Sequence, residues 1–205
     1  MVQMKRLLIL LLPLVLFSSC FKIILKLYGV KQPRIENEKS IRKKTHHFGL
    51  DTTNIVTVNS KDFLRHFKDY RLPDASLFDS AGNYIEYRPK DSACNAGLFD
   101  FIPSLNKTQT YDKTGKTTLQ TEWNKYRGLR GQNLNALPAA DFYVFIYYTV
   151  WLGKLNKDHV AIWEDQAKQN KQCKIKVVKV NLDLQTWWDK AERDRIIKAM
   201  EKKKK

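Results

Sequence analysis

Acidic charge is in short supply: 21 Asp and Glu face 37 Lys and Arg, which leaves a formal net charge of +16 over 205 residues. Such an excess suits an anionic partner, either a membrane surface or a nucleic acid. Cysteine is scarce as well. Cys20, Cys94 and Cys173 are too few for a disulfide scaffold and have no paired zinc spacing. The four histidines, His46, His47, His66 and His159, form no H-x-E or H-x3-H pattern, so no metal site is expected. The chain has no Gly-rich phosphate loop and no G-x-S-x-G, so neither a nucleotide cofactor nor a serine nucleophile is indicated. Eight Gly and six Pro exclude collagen-like or low-complexity character. What is present is an apolar fraction of 43% with 12% aromatics, which excludes a disordered chain.

The first twenty residues read MVQMKRLLILLLPLVLFSSC. Lys5 and Arg6 form a positive start, Leu7 to Phe17 an apolar run, and Ser18-Ser19 a small-residue end before Cys20, the layout of a secretory signal. Leu16-Phe17-Ser18-Ser19-Cys20 resembles a bacterial lipoprotein lipobox. That resemblance implies cleavage before Cys20, acylation of its thiol, and anchorage in membrane lipid, in the manner of Bacteroidetes-like lipoproteins. An uncleaved transmembrane helix over Leu7 to Val30 is the alternative; it has the length but contains Pro13, Lys22 and Lys26. Phe21 to Val30 would lie beside the lipid, with Lys22 and Lys26 reaching headgroups. A basic protein held at an anionic surface needs no nucleic acid to account for its charge.

The chain is therefore expected to divide into a signal segment (1–19), a lipidated tether (20–47) with a short helix over Glu36 to Lys44, and a folded domain (48–205). Strands are expected over Asn54 to Val58 and in a hairpin, Ala75 to Asp79 with Asn83 to Arg88, around Ser80-Ala81-Gly82. Helices are expected over Lys61 to Tyr70, Asn95 to Leu105 and Thr118 to Arg130, with a polar loop from Asn106 to Lys116. The strongest pattern is the last third. Asp141 to Thr149 (DFYVFIYYT) reads as a strand buried on both faces. A helix over Leu155 to Asn170, a strand over Lys174 to Leu182 and a closing helix over Thr186 to Met200 follow. Strand, helix and strand at this spacing predict a parallel pair and an α/β fold.

Tyr148-Thr149-Val150-Trp151-Leu152-Gly153-Lys154-Leu155 resembles the thioredoxin segment W-A-x-W-C-G-P-C. Val178 to Asp183 (VKVNLD), followed by Trp187 and Trp188, is similar to a strand end of membrane-anchored redoxins. The resemblance covers Asp141 to Arg195 and implies a thioredoxin-like sheet with flanking helices. Trp151 and Gly153 match, but Leu152 and Leu155 stand at the two redox cysteine positions. Thiol–disulfide exchange needs a thiolate and a resolving thiol there, and leucine supplies neither. The hairpin that closes a thioredoxin after such a unit is missing downstream. Tyr70 to Gly82 (YRLPDASLFDSAG) resembles it upstream, which implies a rearranged, permuted element order; the alternative is a hairpin that packs on the same sheet by ordinary α/β logic. The resemblance would allow a cis bond before Pro73, whereas the ordinary preference of X–Pro bonds is trans.

Cys94 and Cys173 read first as unpaired structural thiols, with one disulfide between them as the alternative; Cys94 is also a candidate reactive thiol at the start of the Asn95 to Leu105 helix, with Arg88 and Lys90 near in sequence. His159 and the Trp187-Trp188 pair read as core. Two function classes follow. The first is a non-catalytic envelope lipoprotein with a redox-inactive thioredoxin-like domain that binds another envelope protein and no nucleic acid. The second is an envelope thiol enzyme using Cys94, peroxidase-like or a transferase. In the first, the two leucines would be either an open patch or covered by the N-terminal segment, and coverage is expected.

Overall fold

The computed structural model describes residues 25–69, 71–89 and 94–202. The signal segment 1–19, Cys20, Lys22, Lys90 and the tail 203–205 lie outside the described residues. In chain order the elements are β1 (Ile35–Glu36), α1 (Glu38–His47), β2 (Ile55–Val58), α2 (Ser60–Asp69), β3 (Asp74–Asp79), β4 (Asn83–Ile85), α3 (Leu98–Ser104), β5 (Lys113–Thr118), α4 (Leu119–Trp123), β6 (Tyr126–Arg127), β7 (Phe142–Tyr148), α5 (Ile162–Gln169), β8 (Ile175–Asn181), β9 (Leu184–Gln185) and α6 (Lys190–Lys202). A 3-10 turn (Val150–Leu152) and a π-helical stretch (Asn156–Ala161) join β7 to α5.

Seven strands form a mixed sheet in the order β5-β4-β3-β7-β8-β2-β6. The three strands β7, β8 and β2 run parallel; β3, β4, β5 and β6 each run antiparallel to the strand inside them. β7 is central, and all seven of its residues are buried. Its alternation sorts side chains to two faces. Phe142, Val144, Ile146 and Tyr148 pack with Trp163 and Ala167 of α5, Leu98 and Ile102 of α3, and Ile41 of α1. Tyr143, Phe145 and Tyr147 pack with Phe63 of α2, with Trp188 just before α6, and with Ile196 of α6. A strand covered by helices on both faces needs no polar alternation, which is why FYVFIYY is uninterrupted. The expected α/β class, the Ser80-Gly82 hairpin and the β7–helix–β8 parallel unit are all present.

Several local expectations are corrected. Residues 31–47, expected as a tether outside the domain, pack onto it. Ile41 and Thr45 are fully buried, the Thr45 hydroxyl lies 2.9 Å from the Tyr148 hydroxyl, and β1 pairs in parallel with β9. The short apolar complement of EKSIRKKTHH hides this, because one isoleucine per ten residues gives no periodicity. Asn37 starts α1 with a capping box to Ser40. The helix expected over Thr118 to Arg130 stops at Trp123, and Tyr126–Arg127 turns into an edge strand on β2. The polar loop after Asn106 contains β5, exposed along almost its whole length, so only hydrogen bonding to β4 marks it as a strand. The Leu72–Pro73 bond is cis, against the ordinary trans preference.

Candidate functional site

The turn that the sequence likens to a redoxin active site leaves the carboxyl end of β7 at Thr149. Of the two leucines that the resemblance sets at cysteine positions, Leu152 is 5% exposed and Leu155 is half-buried. The N-terminal segment crosses this turn and is stitched to both sides of it. Lys31 N–H donates to the Trp151 carbonyl at 2.8 Å, and Lys154 N–H donates to the Tyr28 carbonyl at 2.7 Å. Between them Gly153 has φ +60°, and a Cβ there would stand 2.4 Å from the Tyr28 carbonyl oxygen and 2.5 Å from that of Gly29. Only glycine permits both that conformation and that approach. The turn is therefore covered, as expected, and the cover is the segment that leads back towards Cys20.

Beneath the turn lies a buried polar cluster that sequence reasoning noticed only as the end of VKVNLD. Asp183 Oδ2 accepts from Val150 N–H at 2.8 Å and from Asn181 Nδ2 at 2.7 Å, fixing the first residue of the turn. Burial pushes the Asp183 carboxyl up to about 7, against the lowering pull of the Val150 and Asn181 donors. Gln185 Nε2 donates to the Asn181 side-chain oxygen at 3.1 Å and to the Asp183 carbonyl at 2.8 Å. Asp183 Oδ1 finds no hydrogen-bond partner among the described residues, which suits a protonated carboxyl.

This shift makes a prediction about pH. The unfolded carboxyl titrates near its ordinary 3.8, the folded one near 7, so between those values the native state holds a proton that the unfolded state has lost. Stability contributed by Asp183 therefore falls as pH rises through that window. Between pH 5 and 8 the loss should be about 3 kcal/mol. In Asp183→Asn that part of the slope should vanish, and urea denaturation of both proteins across the range measures it. Parallel slopes would refute the assignment.

Two cavities flank residues 28–34. On one side, a cleft of about 680 Å³ opens between this segment, α1 and the turn, with Lys31, Arg34, Lys43, Lys44 and Lys154 on its walls. On the other, a more apolar groove of about 400 Å³ is bounded by Val30, Pro33, Leu64, Phe67, Trp151 and Met200. Glu36, buried at the cleft's floor, is paired with Lys44. Among the described residues no carboxylate pairs with Lys31, Arg34, Lys43 or Lys154, so the cleft is strongly basic. The sequence shows the lysines but not their convergence, which arises only when α1 folds back against the turn.

Compared with family models, curated proteins and solved structures, the chain matches none. The site has therefore to be read from its own geometry.

The remaining candidates are scattered. Cys94 is exposed and Cys173 half-buried, and they are not joined in a disulfide. Cys173 Sγ donates to the Leu105 carbonyl at 3.2 Å, and burial pushes its thiol up. Cys94 does not open a helix: α3 begins at Leu98, three residues later than expected, after Gly97. Arg88, the nearest described cation in sequence, is paired with Asp74 and Glu86 and lies over the Tyr87 ring. His159 packs between the Phe99 and Trp163 rings, and Trp188 is core, while Trp187 lies against Gly131. Among the described residues no group of His, Cys, Asp and Glu could hold a metal ion, and no helix is long and apolar enough to cross a membrane.

Proposed function

We propose that this chain is a membrane-tethered envelope lipoprotein whose thioredoxin-like domain binds rather than catalyses. The observation that carries the reading is the turn itself: leucine at both redox positions, with the segment leading to Cys20 sealed across it by two backbone hydrogen bonds. A thiol-exchange site has to admit a substrate disulfide to a reactive sulfur. This turn has no sulfur and is closed by the protein's own chain.

The sheet supports the thioredoxin-like reading in its rearranged form. β7 and β8 are parallel with a helix between them, β3 lies antiparallel on the other side of β7, and β4 completes a hairpin at its outer edge. That hairpin precedes the β7 unit in the chain instead of following it. Fold does not carry function by itself, and here the site chemistry points away from catalysis.

The test has two arms. Cys20→Ser should abolish acyl labelling and leave an unprocessed precursor; unchanged labelling and processing would sink the lipid anchor. The purified protein should reduce no insulin disulfide. Turnover that disappears in Cys94→Ser would replace the binding reading with that of a thiol enzyme.

A further inference from the structure

We infer that the basic cleft between α1, residues 28–34 and the vacated turn is a phosphate-recognising site for the headgroups of anionic phospholipids; the inference rests on the membrane-tethered reading above. Three observations converge on it. First, Lys31, Arg34, Lys43 and Lys154 face one cleft of about 680 Å³ with no carboxylate among the described residues paired to them, while its buried Glu36 is already matched by Lys44. Cations gathered without counter-charge are stable only where water or an anion satisfies them, and a cavity of this size accepts a glycerophosphate group. Second, the large hydrophobic residues left exposed among the described ones are Leu27 (67%), Tyr28 (39%), Ile35 (44%) and Ile162. Tyr28 lines the cleft, and Leu27 and Ile35 stand at the two ends of residues 28–34. Apolar side chains beside lysines are the composition of a surface that enters a headgroup layer, and a soluble anion gives them nothing to enter. Third, position matters. Leu25 stands five residues after Cys20, so the chain between them spans at most roughly 18 Å. An acylated Cys20 thus holds the cleft near the plane of the phosphates.

Occupation of the cleft would also explain why the segment is closed over the turn. The same backbone that carries Lys31 and Arg34 is fixed by its bonds to Trp151 and Lys154, so the cations are positioned in advance.

The experiment uses the full lipidated chain in vesicles of phosphatidylcholine alone and of phosphatidylcholine with phosphatidylglycerol, and follows amide exchange over residues 28–34, 43–48 and 150–154. Exchange in these segments should slow several-fold on the anionic vesicles only. The Lys43→Glu/Lys154→Glu protein should lose that difference, since each basic residue near an anionic surface is worth about a fivefold change in affinity. Both positions are exposed, so the variant keeps its core. Equal exchange on the two vesicles overturns the site. Slowing of the same size produced by dissolved glycerol phosphate on neutral vesicles would assign the cleft to a soluble phosphate and overturn the lipid source. Flotation separates the two readings. Failure to float with neutral vesicles overturns the anchor, while flotation with anionic vesicles alone, lost in the double variant, still supports the cleft.

Discussion

Leu152→Asp should lower the melting temperature by about 10 °C or more, because it places a carboxylate under the sealed turn. Leu152 is 5% exposed, and backbone hydrogen bonds on either side of it hold residues 28–31 across the turn. A buried carboxylate with no cation placed for it costs several kcal/mol, roughly 3–5, through desolvation or forced protonation. In a domain of this size each kcal/mol is worth about 2–4 °C. Leu155→Asp is the matched control. Leu155 is only half-buried, so its charge keeps contact with water and the drop should be much smaller. Thermal melts of the two variants decide the matter. Equal, small effects would mean that the turn is open and that the N-terminal segment does not cover it in solution.

Glu164→Gln should be as damaging, with a loss of about 3–5 kcal/mol in chemical denaturation. Lys179 stands in the middle of β8 with its side chain 1% exposed, and its ammonium donates to Glu164 Oε1 at 2.6 Å. Burial holds the Lys179 amine below its ordinary value, against the raising pull of Glu164. Replacing the carboxylate by an amide strands that cation in the core. The reverse change, Lys179→Met, should cost less. Glu164 would keep Lys168 at 3.3 Å and the Asp51 N–H at 3.1 Å, so its charge is still answered. The double change Glu164→Leu/Lys179→Met should lie above Glu164→Gln in stability, since no charge is left buried. A Glu164→Gln protein as stable as the parent would show that the pair is solvated in solution.

That pair illustrates what was hidden in the sequence. In KIKVVKVNL the lysine at 179 looks like the polar step of an edge strand, and nothing local says that a glutamate 15 residues earlier, on α5, will meet it. Glu122 is similar. It sits at the end of a short helix that the periodicity extends too far, yet hydrogen bonds from His66 and from Lys125 and Thr117 hold its carboxyl down at about 2 despite burial. Long-range polar pairs depend on where two elements cross, and hydrophobic spacing along one element carries no information about that.

The central strand, the parallel β7–β8 unit and the β3–β4 hairpin were all legible in the residues. Their signals are local: a continuous apolar run and a Gly-containing turn between short alternating segments. The residues also show that the turn after β7 has no thiol chemistry, since composition at two positions is enough for that. What lies on that turn emerged from packing alone. Residues 31–47 carry too few apolar side chains to announce a packed element, and they are held instead by one buried isoleucine, a capped helix, a two-residue parallel ladder and a backbone bond to Trp151. Backbone hydrogen bonds are available to every sequence, so a segment fixed mainly by them leaves little trace in its residues. The basic cleft exists for the same reason: its lysines are ordinary surface residues until that backbone places them around one space.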